Sequence, residues 1–263
     1  MSKKVLAFIM LFVFSIHLFA TKVSKEECLS KSASFIFAGG ECIQYYEAQG
    51  DVENTLNIIV HGAWKKGTNT LARYTPFAQN IAMSTDITSI AVALPGYSKS
   101  STNKFGALIG QNGKPSLAAD KEYIVFMTDL IIELKEKYKA STINYIGHSA
   151  GAMLGLTITG YKPKLIQNMM SAGGVYDVQK NMEDNDDLIS ITNVIDTVDK
   201  DTKFLLIYGT KDTVSKPKLT KDFYTLAIQK GLNIKLVKVE GAPHLDLDMA
   251  DTSVDAIIEL LDD

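Results

Sequence analysis

The chain has 263 residues, 46% hydrophobic and 22% charged, with only 6 prolines, a balance that excludes disordered, collagen-like and coiled-coil proteins. The net charge is -3 and the lysine-rich stretches 135–139 and 211–221 are interleaved with acids, so no basic face exists for a nucleic-acid partner. Two cysteines make neither a disulfide scaffold nor a four-ligand zinc site, and no metal is expected.

Residues 1–20 read as a secretory signal peptide. Lys3 and Lys4 give a positive start, residues 5–20 lack any Asp, Glu, Lys or Arg, and Ala20 offers a small residue at the cut. The apolar run is shorter than the ~20 residues of a spanning helix, so no stable membrane anchor is expected. The product is then exported, either periplasmic or secreted. In that oxidising compartment Cys28 and Cys42, flanking the turn-prone Gly39-Gly40, are expected to form a disulfide.

From residue 33 to 47 the pattern is that of an antiparallel hairpin. Short β-rich apolar runs then alternate with helical patterns to the end of the chain: 56–60, 90–94, 143–146, 165–171, 204–208 and 234–239 for the strands. Met127, Leu130, Ile131, Leu134 and Tyr138 recur at helical spacing, as do Leu219, Phe223, Leu226 and Ala227, and Val254, Ile257, Ile258 and Leu261. Thr75-Pro76 reads as an N-cap with proline at the first helical position, and Gly231 as a helix-ending glycine. The alternation predicts an α/β fold with a mainly parallel central sheet, helices on both faces and an N-terminal antiparallel hairpin. Residues 21–263 form one domain in this reading. Two long connections break the rhythm, 95–119 and 172–201, and the second, with its acidic run Glu183 to Asp187, is expected to form a small cap over the site.

Chemistry concentrates in Gly147-His148-Ser149-Ala150-Gly151. The G-x-S-x-G pattern alone is weak, but here it follows a strand-like run and opens a helix-like one, the setting of a nucleophile elbow. A serine hydroxyl needs a base, and the chain has only 4 histidines. His17 lies in the leader, His148 adjoins Ser149 and should point the other way, and His61 ends a strand where it more often holds a loop together. His244, in the loop after the last strand, remains. Asp212, just past the strand 204–208, is the leading carboxylate to orient it, with Asp177 and Asp246 as competitors. The backbone N–H groups of Ala63 (or Trp64) and of Ala150 are expected to form an oxyanion hole, since His61-Gly62 ends an early strand nearby. Trp64, Phe105 and Met153 are expected to line an apolar substrate pocket.

These segments, with Leu94-Pro95-Gly96-Tyr97-Ser98 after the second parallel strand, resemble the α/β-hydrolase fold family over about residues 55–261. The resemblance implies Ser149 as nucleophile, His244 as base and later acid, Asp212 as its orienter, and an acyl-enzyme hydrolysed by water. It implies no separate cofactor, and a small-molecule or acylated substrate as the partner. The expected function is an exported serine hydrolase cleaving a carboxylic ester or related acyl bond. A secreted peptidase or acyltransferase would use the same triad. A non-catalytic binding protein on this fold is the alternative of another class; such proteins typically lose a triad member, and this chain keeps all three.

Overall fold

The computed structural model describes residues 22–109, 116–178 and 187–262. The leader read from residues 1–20 and the acidic residues 183–186 lie outside them. A short helix α1 (Lys25–Lys31) precedes strands β1 (Phe35–Ala38), β2 (Glu41–Ala48) and β3 (Val52–Val60). Helix α2 (Thr70–Thr85), strand β4 (Ile87–Val92), helix α3 (Lys121–Lys137), strand β5 (Thr142–His148) and helix α4 (Ala150–Tyr161) follow. The chain then runs through β6 (Asn168–Ala172), a single turn α5 (Ile191–Val194), β7 (Lys203–Gly209), α6 (Pro217–Gln229), β8 (Asn233–Val239) and α7 (Asp251–Asp262).

The eight strands form one sheet in the order β1-β2-β4-β3-β5-β6-β7-β8. The first two pairings, β1 with β2 and β2 with β4, are antiparallel, and all others are parallel. The hairpin and the alternating pattern of the sequence therefore both appear. Burial explains why the central strands read as unbroken apolar runs. Every residue from Ile143 to His148 of β5 and from Phe204 to Gly209 of β7 is buried, which requires cover on both faces. Strand β8 lies at the sheet edge, is half exposed, and carries Lys235 and Lys238, charges that discourage edge-to-edge pairing. The register aligns Val60 with Gly147, His148 with Ala172, and Gly209 with Val239. The carboxyl ends of these strands thus meet at one rim, where their loops converge.

Two local readings need correction. Helix α2 starts at Thr70 rather than at Pro76, because the Asn69 side chain accepts the Ala72 N–H at 3.2 Å and so caps the helix a turn and a half earlier. Pro76 sits inside the helix; the carbonyl it leaves without a donor belongs to Ala72, an exposed residue that water can reach. Strand β6 begins at Asn168, and Leu165 and Ile166 bury their side chains ahead of the ladder. Gly231, by contrast, follows α6 with φ +71°, the left-handed position that favours glycine.

Cys28 and Cys42 are joined by a disulfide, which ties α1 to the hairpin. Beside it Glu41 is fully buried. Its carboxylate accepts the N–H groups of Asn103 at 2.9 Å, Lys104 at 2.6 Å and Phe105 at 2.8 Å, together with the Ser101 hydroxyl. One buried side chain thus holds the start of the long 95–119 connection. Glu41→Gln places an NH2 group among these donors, and we expect a loss of roughly 2–4 kcal/mol in unfolding free energy, read from urea titration. An unchanged midpoint would contradict the anchoring role.

Candidate active site

Ser149 stands between β5 and α4 with φ +54° and ψ −118°, a conformation that costs a non-glycine residue about 1–3 kcal/mol. The packing around it enforces the turn. A Cβ on Gly151 would sit 2.3 Å from the Val60 carbonyl oxygen, and one on Gly62 would sit 2.8 Å from the Ser149 Cβ. Only glycine lets the helix start and the β3 loop close on the serine from two sides. The Ser149 hydroxyl caps nothing in α4, and its amide is held by the Ala172 carbonyl at 2.8 Å.

The hydroxyl instead meets His244. Ser149 Oγ lies 2.9 Å from His244 Nε2, and His244 Nδ1 lies 2.8 Å from Asp212 Oδ2. Asp212 is buried, and its other oxygen accepts the N–H groups of Val214 and Ser215, both at 2.8 Å. With the carboxylate as acceptor, Nδ1 carries the ring hydrogen, leaving the Nε2 lone pair to accept from the serine hydroxyl. Such a line can draw a proton from a hydroxyl as it attacks a carbonyl. The structure therefore brings together Ser149, His244 and Asp212 from three separate loops. The competing carboxylates stand elsewhere: Asp177 is exposed, and Asp246 pairs with Arg73.

The expected oxyanion donors divide. The Trp64 N–H donates to the Tyr97 hydroxyl at 3.2 Å, so Trp64 is withdrawn from that role. Tyr97 Oη also accepts the Leu108 N–H at 3.1 Å and donates to the Trp64 carbonyl at 2.8 Å, which uses its full hydrogen-bonding capacity. Burial pushes this phenol upward from its ordinary range, so it stays protonated and keeps the donor. The amides of Ala63, one residue earlier, and of Ala150, at the first position of α4, remain the candidates for that role beside Ser149.

Of the expected pocket residues, Trp64 lines a cavity of about 190 Å³ next to Ser149, with Gly62, Ala63, Val214 and Leu245. His148 and His244 complete it. Phe105 and Met153 do not reach it. Phe105 is buried edge-on against Tyr123, with ring centroids 4.9 Å apart, and Met153 is buried in the core along α4. A larger cleft of about 480 Å³ opens between β2 and α2, near Gln44, Asn69 and Ser98. None of Ser149, His244 or Asp212 touches it, and its Ser98 hydroxyl is already bonded to Asn69.

His148 is not turned away from the site. Its Nε2 donates to the His244 carbonyl at 2.9 Å, and the two rings are 4.9 Å apart, so it supports the loop that carries His244. Arg73 was not singled out by the sequence, although it too bears on the site. Its guanidinium lies 4.6 Å above the Trp64 ring and pairs with Asp246, bridging the pocket wall to the His244 loop. An arginine in a helix's first turns carries no sequence signal of such a role.

The cap read into 172–201 does not cover the site among the described residues. Leu188, Ile189, Ile191, Ile195 and Val198 are buried, and Thr197 donates to the Gly160 carbonyl at 2.6 Å near the C-terminal end of α4. Ser149 sits at the opposite end of that helix. Apolar burial and the Thr197 bond account for residues 188–198, while at the start of the excursion Gly173 lies against the triad, a Cβ there standing 3.1 Å from His244 Nδ1; no described residue of the excursion lines the cavity.

His61 holds the β3 loop as expected. The Leu94 N–H donates to His61 Nε2 at 3.1 Å, so Nδ1 carries the hydrogen and donates to the Gly62 carbonyl at 2.7 Å. Burial lowers its pKa to about 4. The unfolded chain, near the ordinary 6.5, takes up a proton that the folded chain refuses. This contribution to stability is complete above pH 6.5 and is lost as pH falls toward 4, by roughly 3 kcal/mol in all. Urea unfolding at a series of pH values should show this slope in the parent and a shallower one in His61→Asn; equal slopes would contradict it.

Against known proteins, a family model described as alpha/beta hydrolase fold matches residues 58–198. A sequence comparison with curated proteins finds no match. Among solved structures, a Pyrococcus furiosus esterase is 18% identical with a TM-score of 0.66, covering 87% of this chain and 90% of its own. A predicted CIB-like hydrolase from Thermoplasma acidophilum is 16% identical with a TM-score of 0.63, covering 86% and 95%. A Butyrivibrio proteoclasticus protein solved with ferulic acid bound is 15% identical with a TM-score of 0.62, covering 87% and 98%.

Proposed function

The chain belongs to the alpha/beta hydrolase fold family, and from that premise we propose that it is an exported serine hydrolase that cleaves a carboxylic ester. The observation that carries the reading is the unbroken line of hydrogen bonds from Ser149 Oγ through the His244 ring to Asp212. Ester-cleaving proteins among its structural relatives agree with it. Export rests on the leader-like residues 1–20 and on the Cys28–Cys42 disulfide, a bond at home in oxidising compartments. Among the described residues no helix is long and apolar enough to cross a membrane.

In the proposed reaction Ser149 Oγ attacks the ester carbonyl while His244 Nε2 takes its proton. The amides of Ala63 and Ala150 donate to the oxygen on which charge develops, aided by the N-terminus of α4. Collapse of the intermediate breaks the bond to the alkoxy oxygen, which receives the proton from His244. Water then attacks the acyl-enzyme by the same route, releasing the acid and restoring Ser149. Asp212 holds the ring in the required tautomer throughout.

A fluorophosphonate probe followed by peptide mass mapping tests this reading. The expected result is a single label on Ser149, lost in Ser149→Ala. A folded protein left unlabelled at Ser149 would overturn it.

A further inference from the structure

We propose that the cleft of about 480 Å³ between β2 and α2 is a second binding site, separate from the triad, for a small organic anion rich in acceptor oxygens, such as a sugar acid. Its volume lies within the roughly 300–1,000 Å³ of sites that take a small-molecule ligand.

The class of ligand follows from which ends of the polar side chains are already taken. Gln44 Oε1 accepts the Lys99 N–H at 3.0 Å. Asn69 Oδ1 accepts the Ala72 N–H at 3.2 Å and the Ser98 hydroxyl at 3.1 Å. These backbone donors fix both amides, because an N–H can be met only by the oxygen end. Each amide therefore keeps its NH2 group, and neither nitrogen has a partner among the described residues. Tyr46 is in the same state: its oxygen accepts Gln79 Nε2 at 2.9 Å, which leaves the hydroxyl hydrogen to donate. Lys99 Nζ, also unpaired among the described residues, adds a cation. The hydroxyls of Ser34 and Thr75 can serve either way, so the lining as a whole offers donors in excess.

Charge points the same way. Among the described residues no Asp or Glu lines the cleft, although the chain carries a net charge of -3. Lys65 and Lys66 are exposed and lead into its Gly67, and Lys137 Nζ bonds to the hydroxyl of Tyr45, another lining residue. A carboxylate set on Lys99 gains a charge-assisted hydrogen bond, and the hydroxyl and ring oxygens beside it take the amide and phenol donors. A cationic ligand finds no carboxylate to meet it.

The test is a ligand-observed NMR titration of the purified full chain with sodium glucuronate, with glucose and inorganic phosphate as comparators. We expect glucuronate to saturate one site, to bind about tenfold or more tightly than either comparator, and to weaken as ionic strength rises. Asn69→Asp and Gln44→Glu keep the oxygen that each side chain offers its backbone donor and replace only the NH2, by a carboxylate oxygen. Each should weaken glucuronate by about tenfold or more, as should Lys99→Met. Circular dichroism establishes folding; should an amide variant fail to fold, Lys99→Met, a change at an exposed side chain, decides. Glucose binding as tightly as glucuronate overturns the anionic class, and phosphate binding as tightly overturns the organic one. No saturable binding, or binding that the folded variants leave unchanged, overturns the site.

Discussion

Ser149→Ala and His244→Ala are each expected to lower kcat by about 10⁴ to 10⁶-fold on an activated ester, with the double variant falling little further. The reason is the shared hydrogen bond of 2.9 Å between Ser149 Oγ and His244 Nε2. Without the hydroxyl the ring has no proton to move, and without the ring the hydroxyl is an ordinary alcohol. On the proposed mechanism, residual turnover in every variant is expected from water attacking a carbonyl still held by the Ala63 and Ala150 amides. Kinetics on the three variants, with circular dichroism to establish folding, check this. Penalties that multiply in the double variant would show that the two side chains act separately.

Asp212→Asn is expected to lower kcat by about 10⁴-fold while the fold is retained. The amide oxygen can keep the bonds that Asp212 Oδ1 accepts from Val214 and Ser215, so the loop holds its shape. The NH2 group then faces His244 Nδ1. Two donors cannot share that contact, so the ring gives up its Nδ1 hydrogen and carries one on Nε2 instead, pointed at Ser149. The base is thereby turned into a donor toward the group it should deprotonate. Steady-state rates beside an unchanged thermal midpoint are the expected pair of results. A loss under about tenfold would mean that another group orients the ring.

How much of this was legible in the sequence depends on how far each signal reaches. The strand runs were plain because β5 and β7 are buried along nearly their whole length and so carry no polar alternation. Ser149 was plain because the crowding that Gly151 relieves is local, between a strand and the helix that follows it. His244 is legible by elimination among the histidines, and both it and Asp212 by their positions after strands, since the parallel register brings such loops to one rim. What failed depended on contacts between distant segments. Tyr97 takes the Trp64 N–H across 33 residues, and no local pattern marks a tyrosine for that. Phe105 and Met153 are apolar in either setting, and only packing decides between a pocket wall and the core. The start of α2 fails for a different reason: Thr75-Pro76 has the local pattern of a helix start, while Asn69, a cap six positions before Thr75, governs the helix.

The geometry of an adduct reaches the central claim most directly. A crystal structure of the protein inhibited by a small fluorophosphonate should show phosphorus bonded to Ser149 Oγ, with one phosphonyl oxygen within hydrogen-bond distance of the Ala63 and Ala150 amides. His244 should remain on Asp212, and the Trp64 N–H on Tyr97. An adduct on another residue, or one whose oxygen points away from both amides with His244 swung off Asp212, would contradict the account.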